Sequence, residues 1–119
     1  MATILVADDD PRLLDAIEAL LALEGHQVLR AKDGEEALRC AQSEHPALVI
    51  TDYMMPRMDG GQLIEAFAGD PGLATVPVVL ITALPSLPAT LRVAGYVRKP
   101  FAPAHMIELV RRLTSQGQT

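Results

Sequence analysis

Short apolar runs suited to strands alternate along this chain with stretches whose apolar residues recur at helical spacing. Thr3-Ile4-Leu5-Val6-Ala7 is apolar after its first residue, the pattern of a central strand buried on both faces. From Pro11 the period changes. Leu13, Leu14, Ile17, Leu20 and Leu21 mark one helical face, with Asp10 as cap, Pro11 at the first position and Gly25 as stop. His26 to Ala31 reads as a weaker second strand, Asp33-Gly34 as a turn, and Glu35, Ala37, Leu38 and Ala41 as a second helix ended by His45-Pro46. Ala47 to Thr51 predicts the third strand, and the loop 53–60 leads to a third helix marked by Leu63, Ile64 and Phe67. After the break at Asp70-Pro71-Gly72 comes a fourth strand, Val76 to Ile81, with Pro77 near its start, where a missing donor is tolerated. Gly95 to Arg98 forms a short fifth strand. A last helix runs from Ala102 or Pro103 through Leu113, with Arg111 and Arg112 suited to its final turns, and residues 115–119 are expected to fray.

This alternation predicts an α/β fold, a doubly wound five-stranded parallel sheet covered by helices on both faces. The segment 83–94 is the irregular part. Pro85 and Pro88 leave only Ala89 to Ala94 free to be helical, at most about one and a half turns, so the fourth helix is expected to be shortened or irregular. A length of 119 residues suits one domain, 1–119. Half the residues are apolar and 21% charged, which argues against disorder, and no apolar stretch is long enough to cross a bilayer. The start Met1-Ala2-Thr3-Ile4 has no basic segment or cleavage site, which points to a cytoplasmic protein without membrane contact. Cys40 stands alone at a helical position and reads as packing. A net charge of -5 with scattered Lys and Arg offers no face for direct nucleic-acid contact.

The candidate chemistry lies where the strands stop. Asp8 and Asp9 follow the first, Asp52 the third, Thr82 the fourth, and Lys99 the fifth. In an open parallel sheet those ends share one edge. Two like charges about 4 Å apart repel by roughly 4 kcal/mol at an effective dielectric of 20, so three converging carboxylates need positive charge among them. Oxygen donors with room for water suit Mg²⁺ or Mn²⁺, and Lys99 supplies one more positive charge. A carboxylate beside a dication, an ammonium and a hydroxyl is equipped to take up phosphorus as an acyl phosphate, and Asp52, alone at its strand end, is the candidate nucleophile. Asp10 reads as a cap only. His26, His45 and His105 read as surface residues, and Met54, Met55 and Met58 as loop packing.

Four segments in order carry a resemblance: Asp8-Asp9, Asp52-Tyr53-Met54-Met55-Pro56-Arg57-Met58-Asp59-Gly60, Thr82-Ala83, and Tyr96-Val97-Arg98-Lys99-Pro100-Phe101. Together they resemble the receiver domain of two-component response regulators, over the whole chain. The resemblance implies a flavodoxin-like sheet of order 2-1-3-4-5, the order of the chemotaxis receiver that serves as a known example. It implies Asp52 as phosphoacceptor, Asp9, Asp52 and the Met54 carbonyl as Mg²⁺ ligands, and Asp8 acting through water. Thr82 and Lys99 would hold the phosphoryl group, Tyr96 would switch with Thr82, and Lys99-Pro100 would be a cis peptide. A histidine kinase or histidine phosphotransfer protein would be the donor, and an output protein of unknown identity the target. The chain would not be an enzyme beyond catalysing its own phosphorylation and dephosphorylation.

Two departures qualify the likeness. The shortened segment between Thr82 and Lys99 means that output surfaces cannot be inherited, and apolar Met54 and Leu84, two positions after Asp52 and Thr82, predict slow loss of the phosphoryl group. The two contacts from Thr82 and Lys99, at roughly 1.5–3 kcal/mol each, would just supply the 5.5 kcal/mol or so of a full population switch. Two alternatives stay open. Asp8-Asp9-Asp10 also matches the Asp-x-Asp opening of haloacid-dehalogenase-type Mg²⁺ phosphatases, although Arg12 stands where Thr or Val is wanted and no later acidic pair follows. The scaffold could also serve as an unphosphorylated interaction module.

Overall fold

The strands are short, the central ones apolar and buried throughout, and the first three helices each begin at an aspartate side-chain cap. The computed structural model describes residues 2–88 and 91–115. The order is β1 (Thr3–Ala7), α1 (Pro11–Leu23), β2 (Gln27–Ala31), α2 (Gly34–Glu44), β3 (Leu48–Asp52), α3 (Gly60–Ala68), β4 (Val78–Thr82), β5 (Gly95–Arg98) and α4 (Pro103–Ser115). All pairings are parallel, in the order β2-β1-β3-β4-β5. This is the sheet that the alternating pattern and the resemblance imply.

Successive strand residues face opposite sides, and each side has its own core. Ile4, Val6, Ile50 and Ile81 pack with Leu14, Ile17 and Leu21 of α1 and Met106, Leu109 and Val110 of α4. Leu5, Val49 and Leu80 pack with Ala37 and Ala41 of α2 and Leu63, Ile64 and Phe67 of α3. Burial on both faces explains why β3 and β4 are buried at all their positions. Cys40 is half-buried against the second core, as expected of a packing residue.

Capping sets the helix starts. Asp10 accepts from the Arg12 amide at 3.0 Å, and Asp59 and Gln62 form a capping box at α3. Asp33-Gly34 is not the free turn expected. Asp33 caps α2 by accepting from the Glu36 amide at 2.8 Å, and Gly34 is already helical. β4 begins two residues later than expected, because Pro77 has no N–H to pair, although its carbonyl accepts from Val49 at 3.0 Å. β3 runs on to Asp52, opposite Ile81. Among the described residues of 83–94 there is no helix, in line with the two prolines. Ala89 and Thr90, which open the stretch left free to coil, lie outside the described residues, as does the fraying expected of 116–119. Ser115 still ends α4.

Two expectations fail at one residue each. His45 and His105 are exposed, but His26 is half-buried and its Nδ1 accepts from the Ala2 amide at 3.1 Å, joining the starts of β1 and β2. Met55 and Met58 pack against the second core, whereas the Met54 side chain is 61% exposed.

One close approach matters to the site. A Cβ added at Gly34 would fall 2.1 Å from the Met58 carbonyl oxygen, so only glycine lets α2 meet the loop that follows β3. Gly34→Ala is expected to lower stability by about 1–3 kcal/mol, the usual cost of forcing atoms into a filled space, measured by urea denaturation. An unchanged midpoint would show that the two segments separate freely.

Candidate functional site

The strand order places the ends of β1, β3, β4 and β5 side by side, at steps of roughly 4.8 Å. Lys99, just past β5, reaches two strands beyond its neighbour: its Nζ lies 3.1 Å from Asp52 Oδ2 and 3.2 Å from Asp8 Oδ2. One carboxylate oxygen each from Asp8, Asp9 and Asp52 lies within 4.8 Å of the others. Residues 8, 9, 52, 82 and 99 thus meet at one rim.

They are not equivalent there. Asp8 is buried and uses both oxygens, Oδ2 for Lys99 and Oδ1 for the Asp10 amide at 2.8 Å, while its own amide donates to the Ala31 carbonyl at 3.0 Å. Asp9 is exposed. Adjacent residues of an extended chain point opposite ways, so one carboxylate enters the pocket floor and the other stays open to solvent. Burial is the main cause that pushes the Asp8 carboxyl above its ordinary range; the Asp52 charge adds to it, against the Asp10 amide and Lys99. For Lys99, burial lowers the ammonium's pKa, but the hydrogen bond to Asp52 and the charges of Asp8 and Asp52 outweigh it and hold it above the usual value.

Thr82 is buried at the end of β4, and its Oγ1 accepts from the Leu84 amide at 3.1 Å. The half-buried Tyr96 donates from its hydroxyl to the Leu84 carbonyl at 2.7 Å. Thr82 and Tyr96 are therefore joined through the backbone of Leu84. The Met54 amide approaches Asp52 Oδ1 at 3.4 Å, and Met54, Leu84 and Pro85 rim a cavity of about 230 Å³ that also borders Asp52, Thr82 and Lys99. The Lys99-Pro100 peptide is cis, as the resemblance implies, and the Lys99 amide donates to the Thr82 carbonyl at 2.8 Å.

Three carboxylates and one ammonium leave a net negative cluster. Its donors are all oxygens, and one carboxylate is accessible. Such a set fits a hard dication with part of its water shell retained.

Sequence reasoning missed a further pair. Arg57, in the loop after β3, donates to Asp33 Oδ2 from Nε at 3.0 Å and Nη2 at 2.7 Å. The Glu36 amide and then Arg57 hold the Asp33 carboxyl below its ordinary range. A cap was legible in the spacing Asp33-x-x-Glu36, whose glutamate accepts from the Lys32 amide at 3.0 Å. Nothing in the spacing marked Arg57 as its partner.

Comparison with known proteins agrees with this geometry. The profile of the family described as "Response regulator receiver domain" matches residues 4–111. A protein of Cyanophora paradoxa, named as probable transcriptional regulator ycf27, is 36% identical over 117 residues, 92% of this chain and 47% of that protein. The chain spans about half the length of the curated relatives it matches first. Among solved structures, the receiver domain of a signal transduction histidine kinase from Syntrophus aciditrophicus superposes with a TM-score of 0.91 at 31% identity, over 98% of this chain and 92% of that one. The receiver domain of a sensor histidine kinase of Pseudomonas aeruginosa, described with magnesium coordinated in its active site cleft, gives 0.88 at 25% identity over 96% and 98%. No helix among the described residues is long and apolar enough to cross a membrane. The phosphatase alternative is left without support. With its fold, rim and sequence in agreement, the chain belongs to the receiver domains of two-component response regulators.

Proposed function

We propose that Asp52 accepts a phosphoryl group from a phosphohistidine of a histidine kinase or histidine phosphotransfer protein, and that the domain then changes its binding to an output protein. The observation that carries this reading is the Lys99 ammonium seated between Asp52 and Asp8, at 3.1 and 3.2 Å, beside the Thr82 hydroxyl at the next strand end. The step is a substitution at phosphorus. An Asp52 oxygen bonds to phosphorus, the donor's P–N bond breaks, and the imidazole leaves with the electron pair, giving an acyl phosphate. Lys99 steadies the added charge while Asp8, held by the Asp10 amide, keeps Lys99 in place. Mg²⁺ is the dication we assign, held by Asp9, Asp52 and the Met54 carbonyl with Asp8 acting through water. The magnesium described in the Pseudomonas receiver domain supports that choice. When bound, Mg²⁺ neutralises charge on the phosphoryl oxygens. The domain turns over no separate substrate, works in the cytoplasm, and touches neither nucleic acid nor membrane.

The switching energy follows from what each group already holds. Lys99 is engaged with Asp52 beforehand, so its contact is exchanged rather than gained, and the earlier sum of two new contacts is too large. Thr82 supplies the difference. Turning its hydroxyl toward a phosphoryl oxygen changes its hold on the Leu84 amide, in the residue whose carbonyl Tyr96 holds from the other side. One such contact corresponds to a coupling of about 1–3 kcal/mol, or 5- to 150-fold in a binding equilibrium.

Incubation with acetyl phosphate and Mg²⁺ is expected to add the mass of one phosphoryl group, about 80 Da, to the parent and none to Asp52→Asn, read by intact mass spectrometry. Equal labelling of both would remove Asp52 as acceptor. Because Met54 and Leu84 are apolar and cannot orient a water, the acyl phosphate is expected to outlast seconds once donor is removed, and Met54→Asn should shorten its life. Decay of the parent within seconds contradicts this.

Asp8 has a raised folded pKa, so its contribution to stability is present below the ordinary carboxyl pKa and lost as pH rises through the folded value. At neutral pH its charge therefore opposes folding. Asp8→Asn is expected to melt higher than the parent in EDTA at pH 7, with the gap closing toward pH 3, and Mg²⁺ should raise the parent's Tm more than the variant's. A lower Tm for Asp8→Asn in EDTA would show that Lys99 outweighs burial.

A further inference from the structure

The loop after β3, residues 53–59, supplies Met54 to the rim, yet Pro56 and Arg57 at its middle are exposed. Arg57 has φ 67, in the left-handed region that a non-glycine residue enters only at some energetic cost. From there its guanidinium turns back onto Asp33. An exposed ion pair would contribute little, but the Asp33 side chain is only 4% exposed and its second oxygen is fixed on the Glu36 amide. The cap needs that one oxygen alone, so the two contacts from Arg57 serve something else.

The sheet order indicates what. Asp33 follows β2 and Arg57 follows β3, with β1 between them. The pair spans two strand steps, roughly 10 Å, and draws the loop across the end of β1, where Asp8 and Asp9 stand. The loop is seated there by Met58 against Gly34, and the Met58 amide donates to the Pro56 carbonyl at 2.7 Å. At its near end the Met54 amide lies 3.4 Å from Asp52 Oδ1.

We propose that the Asp33–Arg57 pair is a positioning device for the cation site: it ties the loop over β1 and so fixes where the Met54 backbone stands relative to Asp8, Asp9 and Asp52. The proposal rests on the reading of those carboxylates as a divalent-cation site. Neither residue touches the ion or the phosphoryl group.

The test is a Mg²⁺ titration of the full chain by amide NMR, with amide hydrogen exchange of residues 54–58 measured without metal. Asparagine caps helices as well as aspartate does, so Asp33→Asn removes the charge and keeps the cap. Asp33→Asn and Arg57→Gln are each expected to weaken Mg²⁺ binding about tenfold, the lower end for groups that orient metal ligands, and to speed exchange in the loop. The double variant should be no weaker than either single, and Arg57→Lys should fall between, since an ammonium cannot present the same fork. Gln62→Ala, which breaks the capping box of α3, should lower Tm and leave the affinity within about twofold. Parental affinity in Arg57→Gln, multiplying effects in the double, or an equal loss in Gln62→Ala would overturn the proposal. Asp9→Asn separates the underlying reading: if it binds Mg²⁺ like the parent, or if the parent binds none, the cation site is wrong. In that case slow loop exchange in Arg57→Gln would also remove the tie, and fast exchange would leave it standing as a loop anchor.

Discussion

The bridge from Lys99 to Asp8 and Asp52 is the interaction on which the arrangement depends. Two carboxylates, each at least nine-tenths buried, face one another across adjacent strand ends, and neither could stand charged there without a cation between them. The lysine comes from the far edge of the sheet, so the bridge also ties β5 to β1 across β4 and β3. Charge compensation and closure of the rim are thus one contact. The compensation is incomplete, because Asp9 adds a third negative charge on the solvent side, and the residual negative charge is of the kind that suits a dication.

Around this bridge the backbone does much of the positioning. Asp8 is fixed by its own amide on Ala31 and by the amide of Asp10, and Asp52 faces the amide of Met54. Thr82 and Tyr96 hold opposite ends of the Leu84 backbone. A change in the threonine's partner is thereby a change in the grip on a loop that carries no helix to stiffen it among its described residues.

What could be read in advance follows from the range of the interactions. Strand and helix identities rest on local periodicity, and the rim residues were legible because a parallel sheet brings every strand end to one edge without further information. The errors have local causes as well. β4 starts late because Pro77 cannot donate, and Asp33-Gly34 seemed a turn because the same two residues serve a turn or a helix start equally well. The partnership of Arg57 with Asp33 and of Tyr96 with Leu84 was not legible, since each joins segments whose approach depends on the packing of the whole sheet. The exposure of Met54 was missed for a related reason: three methionines in one loop look alike until the core claims two of them.

The aromatic content has a practical consequence. The chain has no tryptophan and two tyrosines, Tyr53 and Tyr96. The first opens the loop that leaves Asp52, and the second has its hydroxyl on the loop that leaves Thr82. Near-ultraviolet signals of the unlabelled protein therefore originate from two sides of the rim and from almost nowhere else, which makes the native chromophores a built-in optical gauge of the site.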